Sequence, residues 1–310
     1  MASSQPITIP NERFRADLTL LLVAVIWGSA FVAQRVAALN MNVYLFNGLR
    51  FLIGALVLTP FWLHRRKGYS RINLRLCLGI CLAGLLLFAG TSFQQYGMRF
   101  TTAANAGFIT GLYVVMIPII LALGLRQPPR SIIWIASILA VLGLFLLSTE
   151  GELKLARGDS LELAGALMWA LHVILIGWLV RQMEVFPLAI MQYLVCGLLS
   201  LTVGLIDSGL SFSGLQAVWW TVLYTGVVSI GLGYTLQAVG QRVAPPADAA
   251  IILSCEAVFA ALFGWLVIEE RLTPIQLLGC GFMLIGMILA QIQPAKDYFI
   301  NKLNQGEQSK

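Results

Sequence analysis

Apolar stretches of about 20 residues, the length that carries a helix across the hydrocarbon core of a bilayer, recur along the chain with short polar gaps between them. Ten segments fit, at 18–37, 43–63, 74–96, 103–124, 131–148, 160–180, 187–206, 217–238, 248–268 and 274–292. No gap has room for a separate soluble domain. The pattern therefore predicts an all-α membrane protein of ten transmembrane helices with two short tails, residues 1–17 and 293–310. The first run follows Arg13 and Arg15 and is too long for a signal-peptide core, so it reads as a retained first span.

Composition narrows the class. Hydrophobic residues make up 59% of the chain and charged residues 11%, whereas soluble domains carry roughly 25% charged residues. A net charge of +6 would suggest nucleic acid in a soluble protein. Here the basic residues sit between apolar runs, where they set topology instead. With the N-terminus inside, the inner segments hold fourteen Lys and Arg, and the outer loops hold four, Arg99, Lys154, Arg157 and Arg271. That bias predicts a multi-pass protein of the plasma membrane (the bacterial inner membrane), with N- and C-termini cytoplasmic. The five cysteines all fall in apolar runs and read as small packing residues. The sequence contains no Walker A pattern, metal-spaced His/Cys cluster or hydrolase motif. It implies no cofactor, no metal, no nucleic-acid partner and no enzyme.

The chain repeats itself. At a shift of 143, residues 90–115 fall on 233–258 with eight of 26 positions identical, including Gly90/Gly233, Gln94/Gln237, Gly97/Gly240 and Arg99/Arg242. Asn105 falls on Asp248 and Tyr113 on Glu256. At a shift of 142, Leu21, Ala24 and Trp27 fall on Leu163, Ala166 and Trp169. Each half, 18–148 and 159–292, has five spans. Five is odd, so the second half enters the membrane from the other side. Two inverted five-helix repeats follow, an architecture that places substrate near the midplane between the halves. Arg99 and Arg242 would then lie at opposite faces, which suggests a local role such as capping the third and eighth spans.

Several short motifs, in this order and on this repeat, resemble the drug/metabolite transporter superfamily and its ten-span EamA-like family. They are Ala24-Val25-Ile26-Trp27-Gly28-Ser29, Arg50-Phe51-Leu52, Ser254-Cys255-Glu256-Ala257-Val258-Phe259 and Glu269-Glu270-Arg271-Leu272. The resemblance covers about 18–292. It implies a secondary transporter, an exporter or exchanger of small metabolites such as amino acids, working by alternating access around a central cavity. The chain departs from the pattern in one place, since Arg126 stands at the first-half equivalent of Glu269. A channel, a structural membrane protein and a lipid-modifying enzyme are the alternatives; a proton as co-partner and a homodimer stay open.

Polar groups in hydrocarbon are costly and face the protein interior or a wet cavity, so those within spans form the candidate site. Glu256, in the ninth span, is the sharpest candidate, as a proton-coupling group or a counter-charge for a substrate amino group. His172 in the sixth span can relay a proton or bond substrate. Trp27 and Trp169 lie near mid-depth and can wall a cavity. Arg50, three residues from Asn47, can hold a substrate carboxylate through its two-pronged guanidinium. Tyr113 matches Glu256 across the repeat. Gln94, Gln237, Asn105 and Asp248 are gate or cap candidates, and Gln34, Gln95 and Gln192 are further polar positions. Pro118 should kink the fourth span. The pairs Gly79/Ala83, Gly107/Gly111 and Ala260/Gly264 have the spacing that lets helices approach closely.

Overall fold

The computed structural model describes residues 10–65, 73–100, 103–149, 157–208, 214–268 and 273–307. Span 1 is α1 (Pro10–Asn40), span 2 is α2 (Val43–Arg65) and span 3 is α3 (Leu74–Gly97). Span 4 divides into α4 (Ala103–Gly111) and α5 (Tyr113–Ile119), then runs into a π-helical turn (Ile120–Gly124). Span 5 is α6 (Ser131–Thr149), span 6 is α7 (Asp159–Leu179) and span 7 is α8 (Val185–Ser208). Span 8 joins α9 (Leu215–Tyr224), a π-helical stretch (Thr225–Tyr234) and α10 (Thr235–Gly240). Span 9 divides into α11 (Pro246–Ser254) and α12 (Glu256–Ile268), and span 10 is α13 (Pro274–Glu307).

Eight of these spans are long and apolar enough to cross a membrane, and two shorter apolar helices, Ser131–Leu147 and Pro274–Ala290, complete the ten. The outward faces are greasy, with Leu56, Leu123 and Ile206 more than 70% exposed. Such a surface is stable against lipid tails rather than water. Two helices outrun the apolar pattern. α1 begins at Pro10 and α13 continues to Glu307, because backbone hydrogen bonding propagates into polar flanks that hydropathy does not register. Glu150, Glu152 and the Glu269–Leu272 motif lie outside the described residues.

The two halves are related by a pseudo-two-fold, and its signature is written in reciprocal contacts. A Cβ on Gly143 would stand 2.5 Å from the Gly279 carbonyl oxygen, and one on Gly279 would stand 2.6 Å from that of Gly143. The same crossing recurs a repeat away, where a Cβ on Gly286 would stand 2.8 Å from the Ala136 carbonyl oxygen. Spans 5 and 10 thus pack backbone against backbone, as helices in lipid do where small residues permit. Spans 2 and 7 form the other pair on the axis, while span 3 packs on span 6 as span 8 packs on span 1. Gly79 and Gly111 also sit in close approach, but a Cβ on Gly107 would meet nothing within 4 Å, so that spacing marks no helix contact there.

The arginines of the repeat are clamps, on other spans than expected. Arg99 donates from Nε to the Ala38 carbonyl at 3.1 Å and from Nη2 to that of Met41 at 3.0 Å. Arg242 donates to the Met183 carbonyl at 3.2 Å. Each therefore satisfies the orphan carbonyls at the end of span 1 or span 6, not the ends of spans 3 and 8. Helix direction puts Arg99 at one face of the bundle and Arg242 at the other, the face where Arg13 of α1 meets Asp248 of α11. That second face, which carries both chain ends, is called the terminal face below.

The break in span 4 falls at Leu112, while Pro118 sits inside α5, where its missing N–H is compensated. It lacks the N–H that would bond the carbonyl of Val114, and Ser137 Oγ of α6 donates to that oxygen at 3.1 Å instead.

Candidate functional site

The site is built on two broken helices. Spans 4 and 9 each lose their regular turn at one residue, Leu112 and Cys255, and these are repeat equivalents at the shift of 143. Both breaks tighten to the same three-residue bond, Leu112 N–H to the Ile109 carbonyl and Cys255 N–H to that of Ile252, each at 3.2 Å. The residue after each break opens the second half-helix: Tyr113 in span 4 and Glu256 in span 9. Both side chains line one cavity between the repeats.

Its walls are aromatic. Tyr234 is the hub, with ring centroids 4.6 Å from Trp27, 5.9 Å from Trp169 and 6.1 Å from His172. The pseudo-symmetry reaches this level as well. A Cβ on Gly90 would stand 3.1 Å from the Trp169 ring, and one on Gly233, its repeat equivalent, 2.6 Å from Nε1 of Trp27. Each tryptophan fits only because the facing helix has a glycine there. Trp27 donates from Nε1 to the Ser229 carbonyl, in the π-helical stretch of span 8, at 3.2 Å. Nε1 of Trp169 is buried without a partner.

The polar lining is sparse and incompletely bonded. Arg50 is 2% exposed, its Nη1 donates to Gln34 Oε1 at 2.8 Å, and its Nε has no partner. Its guanidinium carbon lies 4.8 Å from the Phe46 ring centroid. The ion pairs among the described residues involve Arg13, Asp17, Arg130 and Asp248, and none reaches Arg50. Glu256 is buried, and among the described residues no side chain bonds or pairs with its carboxyl. His172 Nε2 lies 2.9 Å from Gln192 Oε1. Nδ1 of the ring has no partner among the described residues. The Tyr113 hydroxyl is unpartnered too. A cavity in which a cation, an acid, a phenol and an imidazole all lack full hydrogen bonding is one shaped to receive a polar molecule, since buried polar groups are otherwise nearly always satisfied.

Of the residues singled out in the sequence, Trp27, Arg50, Tyr113, Trp169, His172 and Glu256 all line this one cavity. Gln34, Gln94 and Gln237 do so as well. The repeat mates Gln94 and Gln237 differ in partners: Gln94 Nε2 donates to Thr110 Oγ1 at 3.2 Å, and Gln237 Nε2 to Gln241 Oε1 at 3.0 Å. Asp248 lies apart, at the terminal face, accepting at Oδ2 from Arg13 at 2.9 Å and from Arg130 at 2.6 Å. The side chain of Asn105 is outside the described residues. Sequence reasoning missed Tyr234, Thr110 and Glu162. Tyr234 follows the repeated Gly233 directly, a position the repeat had already marked. Glu162 was passed over because it sits near the start of an apolar run, where a carboxylate reads as solvated.

The comparisons with known proteins agree with this architecture. The chain matches the EamA-like transporter family twice, over residues 14–149 and 156–291. An uncharacterized transporter of Archaeoglobus fulgidus is 34% identical over 284 residues, covering 91% of this chain and 87% of that one. The threonine/homoserine exporter RhtA of Escherichia coli (strain K12) is 27% identical over 301 residues, covering 93% and 95%. A crystal structure superposes with a TM-score of 0.76 over 90% of this chain and 99% of its own, at 16% identity, a likeness of fold. The chain belongs to the EamA-like transporter family; it is a multi-pass membrane transporter and not an enzyme.

Proposed function

We propose that this transporter carries small zwitterionic metabolites of the amino-acid type, as an exporter or exchanger working by alternating access around the central cavity. The observation that carries the reading is Arg50, a fully buried cation with no acid beside it among the described residues, sharing one cavity with the unpaired Glu256. A buried charge is stable only when paired. A substrate carboxylate at Arg50 and a substrate ammonium at Glu256 would pair both at once. Tyr234 lies close to both charges, and Trp27 and Trp169 wall the space between. That RhtA exports threonine and homoserine supports the same substrate class.

Glu256 also exchanges a proton for the substrate ammonium in this reading, with His172 as its relay. The pair of glutamines, Gln94 and Gln237, gates the cavity, and Asp248 with Arg13 and Arg130 clasps the terminal face. Asn105, its repeat equivalent, has the matching place at the other face. We further propose the bacterial inner membrane as location, with both termini cytoplasmic on the Lys/Arg bias, and leave a homodimer as a stoichiometry to be measured.

Counterflow in proteoliposomes is the test. Vesicles preloaded with unlabelled L-threonine or homoserine should take up the labelled compound transiently above equilibrium, which a channel does not do. The response should vanish for the carboxyl-amidated analogue. Absence of counterflow across a panel of amino acids overturns the proposal.

A further inference from the structure

Outside the ring of residues just described lie two buried acids of α7, Asp159 and Glu162, and Glu162 is the one bonded toward the cavity. Glu162, in the first turn of α7, is 0% exposed. Its Oε2 accepts from Thr110 Oγ1 at 3.2 Å, and Thr110 Oγ1 in turn accepts from Gln94 Nε2 at 3.2 Å. Thr110 and Gln94 both line the cavity. Oε1 of Glu162 is buried with no partner. A line of hydrogen-bonding groups thus runs from Glu162, in the first turn of span 6, to the substrate space.

The repeat shows that the fold does not need a carboxyl there. At the shift that pairs Trp27 with Trp169, Glu162 corresponds to Leu20. Leu20 sits in the same cradle: a Cβ on Gly240 would stand 2.7 Å from its Cγ, just as one on Gly97 would stand 2.6 Å from Glu162 Oε1. One half fills the cradle with an apolar side chain and the other with an acid. Packing explains the first. Placing a carboxyl in the second is costly unless its proton has a use.

We propose that Glu162 is a proton-binding site that sets the direction of the Thr110 hydroxyl, and through it the affinity of the cavity for a substrate carboxylate. This rests on the transport reading above. With Glu162 ionised, the Thr110 proton is committed to Oε2, and Thr110 offers the cavity only a lone pair, which Gln94 fills. When a proton from the water at that face binds Oε2, the new O–H donates to Thr110 Oγ1. The Thr110 proton is released from the carboxyl and turns into the cavity as a donor. Return of the proton to water reverses the exchange. Among the described residues, Asp159 is the charged group that acts on Glu162. Asp159 is on its own helix, Gln94 and Gly97 come from α3, Thr110 from α4 and Tyr113 from α5. Arg99, just past α3, is bonded to Ala38 and Met41. Asp248 of α11 is held at the far end by Arg13 and Arg130.

The test is the pH profile of counterflow, at equal pH on both sides of the vesicle, with labelled L-threonine as probe. Glu256 titrates alike in the wild type and in Glu162→Gln, so the readout is the ratio of their half-saturation concentrations, which should change by about three- to tenfold across the pH range, the worth of one hydrogen bond. Thr110→Val should weaken binding and leave no pH-dependent ratio between itself and its Glu162→Gln double variant. Glu162→Leu, which copies the other half, serves if the Gln variant does not fold. Infrared titration of the membrane-embedded protein should show a carboxyl signal that disappears in Glu162→Gln and survives in Glu256→Gln. A wild-type profile retained in Glu162→Gln, or an infrared titration that the substitution leaves unchanged, overturns the proposal. Lack of wild-type counterflow with threonine counts against the substrate reading alone, and the infrared titration then decides the proton site.

Discussion

Arg50 and Glu256 lie some two hundred positions apart in the sequence, yet each is the same kind of anomaly, a charge in a membrane interior with nothing to neutralise it among the described residues. A hydrogen bond to a charged group is worth about 1.5–3 kcal/mol, so Arg50→Gln should raise the half-saturation concentration for L-threonine by about ten- to a hundredfold. Arg50→Lys keeps the charge but not the planar fork, and should recover only part of that loss. Comparing threonine with its carboxyl-amidated analogue sharpens the measurement: the wild type discriminates between them, and Arg50→Gln should not. Equal discrimination by both proteins would remove Arg50 from contact with the carboxylate. Glu256→Gln, by the same reasoning, should lose accumulation driven by an imposed pH gradient; a gradient response equal to the wild type's would exclude Glu256 as the exchanging acid. These two residues were legible in the sequence because charge inside an apolar run is a local signal. Glu162 was less so, since its burial comes from Gly97 of another helix, which spacing along the chain does not reveal.

At the level of elements, the number and order of helices were legible because bilayer thickness imposes a length and an apolar content on each span. The breaks were not. Nothing in the residue types at Leu112 or Cys255 announces an interruption, and only the repeat could have hinted that one implies the other. The π-helical stretch at Thr225–Tyr234 was equally hidden, and so was the bond from Trp27 of span 1 to its Ser229 carbonyl. The kink expected at Pro118 gives way to a break at Leu112, and the donation of Ser137 to the Val114 carbonyl required the tertiary structure. Ser137→Ala should leave the Val114 carbonyl without its donor and lower stability by about 1 kcal/mol, seen as an earlier thermal transition of the purified protein. The glycine crossing of spans 5 and 10 carries a larger expectation. Gly143→Val would drive a side chain against the Gly279 carbonyl and the Met283 backbone, neither of which can swing aside. Overpacking of this kind costs about 1–3 kcal/mol. Gly286→Val should cost a similar amount at the symmetric crossing, whereas Gly107→Ala, with open space around it, should cost far less. Equal thermal shifts for Gly107→Ala and Gly143→Val would contradict the packing described.

For the whole molecule, near-symmetry raises the question of which of two mirror-related states is favoured. Two identical halves would make inward- and outward-open shapes equal in energy, so any bias must come from positions where the repeats differ. Such a difference is concentrated at the terminal face. Asp248 holds Arg13 and Arg130 there, Arg13 also pairs with Asp17 at 3.0 Å, and Arg130 donates to the Ala290 carbonyl at 3.2 Å. The cluster ties spans 1, 5, 9 and 10 together. Its repeat equivalents in the sequence are Asn105 for Asp248, Asp159 for Asp17, Leu155 for Arg13 and Thr273 for Arg130. Neither arginine has a basic counterpart in the repeat, so this clasp is not copied in the sequence of the other half, and closure of the terminal face should be the resting state. Asp248 is 3% exposed at its side chain, and removing one partner of a buried ion pair costs about 3–5 kcal/mol, enough to move a two-state equilibrium from one side to the other. Asp248→Asn, which copies the opposite face, should therefore open the terminal face. Combining it with Arg13→Leu and Arg130→Thr removes the stranded cations and separates loss of the clasp from simple repulsion. Spin labels on spans 1 and 9 near that face should report a longer distance in both variants than in the wild type. If the distance distributions coincide, the clasp does not set the resting state, and the bias must be sought in the cavity, where Tyr113 and Glu256 are another pair that the repeat fails to match.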